Sequence, residues 1–183
     1  MKKALHNKKY DKYTFNIYAK ILRKILYEYI NQNTSGSYAN RINILEKGVE
    51  KILNCSLEKD NTNQNQNIVY YELGILYFNK LIYLKQKRKN YRDVADKALG
   101  AFQKSINYLQ KNYNEYEFYL LLRKIYIAKI YIELNENNFK VLSDVLSLYK
   151  NIKETKDLSD EIKEDIDSIQ SKYIEFLNSK FKG

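Results

Sequence analysis

The fold of this chain is decided by two short stretches, YYELGILY at residues 70–77 and ALGAFQKS at residues 98–105. In the first, apolar residues recur every three or four positions around Gly74, which is the spacing of one face of an α-helix. In the second, Ala98 precedes Phe102 by four positions, so both lie on one helix face. Because glycine and alanine take little room, we expect Gly74 and Ala98 to lie where two antiparallel helices approach most closely, with Tyr77 and Phe102 beside the contact.

Helical periodicity also dominates the rest of the 183 residues, and no segment alternates apolar and polar residues for long enough to predict a pair of strands. The apolar stripe nearest the start consists of Phe15, Tyr18, Leu22, Ile25 and Tyr29. We therefore expect a single all-α domain of seven helices. It comprises helix pairs over roughly 10–55, 67–110 and 114–151 and a terminal helix over 158–180.

One segment departs from this pattern. Residues 54–67 end in the low-complexity run NTNQNQN at 61–67. Such a run offers few apolar side chains for a buried face, which predicts a mobile loop.

The spacing Tyr70-x-x-Leu73-Gly74-x-x-Tyr77 resembles the first helix of a tetratricopeptide repeat, and Ala98-x-x-x-Phe102-x-x-Ser105 resembles the second. A weaker copy follows in Ile127-Ala128-x-x-Tyr131-x-x-Leu134 and Leu142-x-x-x-Leu146. The first copy has about twelve more residues between its motifs than the family has, and neither copy has the family's proline. The resemblance, which covers about half of the chain, implies antiparallel hairpins stacked as a short solenoid with a C-terminal capping helix. A closed helical bundle is the alternative.

What the resemblance implies for function is a non-enzymatic adaptor or scaffold that binds a protein or peptide segment within an assembly. In this family the first helix of each hairpin lines the concave surface. That maps the partner-binding face onto Tyr71, Ile75, Phe78 and Asn79 of the first copy and Lys129, Ile132 and Glu133 of the second. One position of the family's clamp for C-terminal carboxylates falls on Ile75, so an apolar and aromatic groove is expected instead.

The charge distribution points to a different class of function. The chain has 32 Lys and Arg against 22 Asp and Glu, and the net charge of +10 comes from its first 111 residues. The densest basic run consists of Lys85, Lys87, Arg88, Lys89 and Arg92 around Tyr91. Clustered cations suit phosphates or an acidic partner, and a tyrosine can stack on a base. The alternative function is therefore a basic nucleic-acid-binding or plasmid-maintenance-type protein. The codon bias of a low-GC genome would also enrich Lys, Asn, Ile and Tyr.

The sequence gives little support for catalysis or for a cofactor. His6 is the only histidine, and the chain has neither a phosphate-binding loop nor a dinucleotide motif. We therefore expect no enzymatic activity, no cofactor and no metal site. The acidic residues Asp157, Glu161 and Asp165 alternate with lysines, which indicates a solvated helix face. Cys55 has no partner for an intramolecular disulfide.

The sequence also bears on location. No apolar run approaches the roughly 20 residues of a membrane-spanning helix, so no membrane span is expected. The basic start at residues 1–9 is not followed by the apolar core of a signal peptide. A cytoplasmic location is expected, unless a leader has been removed.

Overall fold

The computed structural model describes residues 39–111, 115–136, 138–154 and 156–181, together with helical positions 17, 20, 21, 24 and 28. Six α-helices make up most of these ranges, and the described residues contain no strand. The prediction of an all-α protein is confirmed. The stripe Phe15, Tyr18, Leu22, Ile25 and Tyr29 lies outside the described residues. The helices are α1 (Ala39–Lys59), α2 (Asn63–Gln86), α3 (Arg92–Tyr108), α4 (Tyr116–Glu133), α5 (Phe139–Ile152) and α6 (Asp160–Phe181).

The chain forms two compact units, which we call unit 1 (Met1–Tyr108) and unit 2 (Leu109–Gly183). In unit 1, α2 packs against both α1 and α3, and in unit 2, α6 packs against both α4 and α5. Each unit has its own apolar core. The core of unit 1 includes Val49, Ile52, Leu53, Val69, Leu73, Leu76 and Ala101, and the core of unit 2 includes Leu121, Ile125, Ala128, Leu142, Val145, Ile166 and Ile169. None of the described helices is long and apolar enough to cross a membrane.

Helices α2 and α3 pack tightly against each other at Gly74. A methyl group at Gly74 would lie 2.7 Å from Cε1 of Phe102, a distance that packed carbon atoms do not adopt. Phe102 and Ala98 are both fully buried. The expectation that small residues mark the close approach of this hairpin is confirmed at Gly74. Helix α2 continues nine positions past Tyr77 before the chain turns.

The predicted mobile loop over residues 54–67 is wrong, because α1 continues to Lys59 and α2 begins at Asn63. Only three residues connect the two helices. Thr62 caps α2 by accepting a hydrogen bond from the backbone N–H of Asn65 at 3.4 Å. This part of the chain is therefore ordered although it offers few apolar side chains.

Hydrogen bonds of the asparagine amides explain that order. The Nδ2 of Asn65 donates to the carbonyl oxygens of Ser56 at 3.1 Å and of Asp60 at 2.6 Å, and Ser56 Oγ donates to Asn65 Oδ1 at 3.3 Å. Two residues later, Ser105 Oγ of α3 lies 2.8 Å from the carbonyl oxygen and 2.9 Å from Oδ1 of Asn67. Asn65 and Asn67 are both buried. Polar side chains thus connect the start of α2 to α1 and to α3.

Two helices end in the same way, one in each unit. At the end of α2, the N–H of Lys89 donates to the Leu84 carbonyl and the N–H of Arg88 to the Lys85 carbonyl, each at 2.9 Å. Arg88 has a φ of 52°. This is the Schellman arrangement, in which the residue with positive φ is usually glycine. At the end of α4 the corresponding residue is Asn135, with a φ of 60° and the equivalent pair of hydrogen bonds.

Helix α4 begins without a side-chain cap. The helix begins at Tyr116, so the residue before it is Glu115, which has a φ of 70° and no capping hydrogen bond from its side chain. The Oε1 of Glu115 instead accepts a hydrogen bond from Lys156 Nζ, which lies 3.8 Å from the ring centre of Phe118.

Candidate functional site

The first half of the predicted partner-binding face lies on α2, and three of its four residues are buried. Ile75 is 4% exposed, and Phe78 and Asn79 are each 7% exposed. Tyr71 is half-buried, and its ring contacts Phe102 edge-to-face with the ring centres 6.0 Å apart. Of this group, Tyr71 is therefore the residue with accessible surface.

The second half lies on α4 of unit 2 and takes part in contacts with α6. Lys129 Nζ donates to Asp165 Oδ1 at 2.6 Å and lies 5.6 Å from the ring centre of Tyr126. Ile132 packs against the core of unit 2. Glu133 is half-buried and also has polar or electrostatic contacts. These three side chains contribute to packing within unit 2.

The basic run forms the connection between α2 and α3, and we call residues Lys85–Arg92 the basic turn. Of its five cations, four are exposed (Lys85, Arg88, Lys89 and Arg92) and Lys87 is half-exposed. Tyr91 is half-buried, so its ring is only partly available for stacking. The turn is fixed at both ends, by the Schellman hydrogen bonds after α2 and by the N–H of Arg92, which donates to Asn90 Oδ1 at 3.1 Å.

Two lysines of α3 lie over tyrosine rings of α2, an arrangement that we did not predict from the sequence. Lys97 Nζ is 5.9 Å from the ring centre of Tyr77, and Lys104 Nζ is 5.2 Å from that of Tyr70. The two tyrosines are seven residues apart on α2, and the two lysines are seven residues apart on α3. Because the helices are antiparallel and both spacings equal two helical turns, each lysine comes to lie over one tyrosine. That shared spacing is the signal in the sequence that could have revealed these contacts.

Tyr77 also connects α2 to α1. Its hydroxyl donates to Glu50 Oε1 at 2.6 Å, and the neighbouring Lys80 ammonium donates to Glu46. Burial, followed by the hydrogen bond to the Glu50 carboxylate and the negative charge of that group, raises the pKa of Tyr77 well above its usual value. The neutral tyrosine is thus the form that fits this site.

The acidic residues near the start of α6 do not gather around a common point. Asp165 pairs with Lys129, and Lys163 Nζ lies 3.6 Å from carboxylate oxygens of both Asp157 and Asp160. Within the part of the chain that the structure describes, no group of three or more histidine, cysteine, aspartate or glutamate residues has the geometry of a metal site. Cys55 is a half-buried free thiol.

Comparisons of this chain with protein-family models, with curated proteins and with solved structures give no match.

Proposed function

We propose that this protein is a non-enzymatic scaffold of helix hairpins that binds a protein segment. The observation that carries the proposal is the contact between Gly74 and Phe102, because it joins the two motifs on which the resemblance to tetratricopeptide repeats rests. Proteins built from stacked hairpins of this kind use their extended surfaces to bind other proteins.

The packing of unit 2 gives further support. Helices α4 and α5 carry the weaker copy of the motifs, and α6 packs against both of them. A terminal helix in contact with both helices of the last hairpin is what a capping helix requires, since it covers the apolar surface that a further hairpin would otherwise bury.

Within this proposal, Tyr71 makes the contact with the bound segment. Its neighbours Ile75, Phe78 and Asn79 are buried and serve to hold α2 in place. A half-buried tyrosine on a rigid helix is a frequent energetic centre of protein interfaces because its ring offers a large contact area and has few rotatable bonds.

Site-specific photocrosslinking tests this assignment, with the two adjacent tyrosines of α2 as a matched pair. A photoreactive phenylalanine derivative replaces Tyr71 in one variant and Tyr70 in the other. Tyr70 is the control because it is also half-buried but stacks on Tyr108 of α3 at 5.7 Å. We expect crosslinking of a defined protein at position 71 and not at position 70.

The crosslinked protein is then identified, purified and titrated with wild-type protein and with the Tyr71→Ala variant. We expect Tyr71→Ala to weaken binding by about tenfold to thirtyfold, which corresponds to about 1.4–2 kcal/mol for an interface tyrosine. Equal affinity of the two proteins, or crosslinking at both positions alike, would contradict the proposed site.

A further inference from the structure

We propose that the basic turn, Lys85–Arg92, binds the phosphate backbone of a nucleic-acid duplex without reading its sequence. This inference goes beyond the scaffold function and does not depend on it. Its starting point is a concentration of positive charge at one short connection, where five cations occur within eight residues.

The sequence that leads into this turn contains no acidic residue. No acidic residue occurs between Glu72 and Asp93. The two central cations, Arg88 and Lys89, are exposed and form no ion pair with any residue in the described ranges. A solvated cluster of this kind attracts a polyanion strongly because binding releases the counterions that the polyanion has condensed.

The backbone of the turn gives a second observation. Arg88 adopts the left-handed conformation at a position where glycine, lacking Cβ, is the least strained residue. The chain nevertheless has a long cationic side chain there, at the tip of the α2–α3 hairpin. Backbone strain of this kind is characteristic of functional positions.

The positive charge of the chain is concentrated in unit 1. Unit 1 has 20 basic and 9 acidic side chains, a net charge of +11, whereas unit 2 has 12 basic and 13 acidic side chains, a net charge of −1. An anionic ligand is the class of partner that this sign of charge attracts.

The turn also indicates which form of nucleic acid it binds. Proteins that bind single strands stack the bases on exposed aromatic rings, and the one aromatic residue of the turn, Tyr91, is half-buried. All charged groups of the turn are cations, which contact phosphates and carry no sequence information, and its other exposed side chains are the amides of Gln86 and Asn90. The phosphate backbone of a duplex, DNA or RNA, is therefore the ligand that the turn fits.

The test measures the salt dependence of binding to a 20-base-pair DNA duplex and to an RNA duplex of the same length, by fluorescence anisotropy with the full chain. One variant combines Lys85→Gln, Arg88→Gln and Lys89→Gln. The matched control combines Lys140→Gln, Lys150→Gln and Lys153→Gln, which removes three exposed cations of unit 2. Circular dichroism checks that both variants keep the helical content of the wild type.

We expect the slope of log K against log salt to become shallower by about three in the basic-turn variant, since each lost phosphate contact removes about 0.9 on DNA. The control variant should change it by less than about one. Asp93→Asn, which removes a carboxylate beside the turn, should tighten binding. A difference between the DNA and RNA arms identifies the preferred duplex.

Equal changes of slope in the basic-turn and control variants would overturn the proposal. Binding would then depend on the total positive charge of the protein and not on the position of the cations. So would a lack of binding to both duplexes at 25 mM salt. Tighter binding of a single strand, or of a polyglutamate chain of matched charge, would show that the turn serves another partner and would overturn it as well.

Discussion

Units 1 and 2 are both built from helices joined by short connections, but the chemistry that they bury differs. Seven of the eight buried polar or charged residues in the described ranges belong to unit 1, namely Glu46, Ser56, Asn65, Asn67, Glu72, Asn79 and Ser105. The eighth is Arg123 of unit 2, which donates to the Tyr119 carbonyl at 2.8 Å. Every buried side-chain nitrogen or oxygen among the described residues has a hydrogen-bond partner.

Among the described residues, the ion pairs lie mostly in unit 2. Lysines of unit 2 pair with carboxylates at its surface, as in Lys124 with Asp144, Lys129 with Asp165 and Lys172 with Glu175. Pairs of this kind contribute little to stability, about 0–1 kcal/mol each. Unit 2 therefore depends on its apolar core, whereas unit 1 depends in addition on directional hydrogen bonds and on one tight contact at Gly74. The following substitutions test this difference.

The largest effect is expected for Phe102→Ala. Phe102 is fully buried in unit 1, and its loss should lower the free energy of unfolding by about 3–5 kcal/mol. The comparison in unit 2 is Phe139→Ala. Phe139 is half-buried and stacks on Tyr173 at 4.7 Å, so a loss of about 1–2 kcal/mol is expected. Urea unfolding measures both. Similar losses for the two variants would show that Phe102 contributes no more to stability than Phe139 does.

The next effect concerns the amide network of unit 1. Asn65→Ala removes the partners of Ser56 Oγ and of two backbone carbonyls, so we expect a loss of about 2 kcal/mol in the free energy of unfolding. In unit 2, Asn138→Ala removes a helix cap, since Asn138 Oδ1 accepts from the N–H of Val141, and should cost about 1 kcal/mol. The exposed Asn63→Ala is the control, expected to change stability by less than about 0.5 kcal/mol. Equal effects of Asn63→Ala and Asn65→Ala would contradict the claim that the hydrogen bonds of Asn65 stabilise unit 1.

The hydrogen bond from Tyr77 of α2 to Glu50 of α1 predicts that the stability of the protein depends on pH. The pKa of Tyr77 is raised in the folded protein, so its contribution to stability is complete below the unfolded value of about 10 and declines as the pH rises above it. Relative to Tyr77→Phe, the wild type should lose about 1.4 kcal/mol per pH unit above pH 10. Unfolding curves between pH 8 and about 11.5 measure this difference. Parallel profiles of the two proteins over that range would show that Tyr77 is not held neutral.

The smallest effect is expected at the ends of α2 and α4, where Arg88 and Asn135 have positive φ. Arg88→Gly should raise the free energy of unfolding by about 0.5–1 kcal/mol, because glycine adopts this conformation without a Cβ clash. Asn135→Gly should raise it by only a few tenths, about 0.3 kcal/mol, because asparagine already tolerates the left-handed region. The midpoints of urea unfolding distinguish the two. A loss of stability in Arg88→Gly would mean that the Arg88 side chain has a structural role.

Much of the fold could be predicted from the sequence because helical periodicity and the sizes of Gly74 and Ala98 are local signals. The order of residues 61–67 could not, since composition does not reveal whether Asn65 and Asn67 find hydrogen-bond partners on other helices. The burial of Ile75, Phe78 and Asn79 was missed for a similar reason. A motif gives the face on which a residue lies, and whether another element covers that face depends on the tertiary packing.

The measurement that tests the account most directly compares the two glycines of the α2–α3 hairpin. Gly74→Ala places a methyl group against the buried ring of Phe102, whereas the new methyl group of Gly100→Ala meets no atom within 4 Å beyond its own stretch of helix. We expect Gly74→Ala to lower the free energy of unfolding by about 1–3 kcal/mol and Gly100→Ala to raise it by about 0.5–1 kcal/mol. If both substitutions stabilise the protein, as alanine does in an unconstrained helix, the helices do not meet at Gly74.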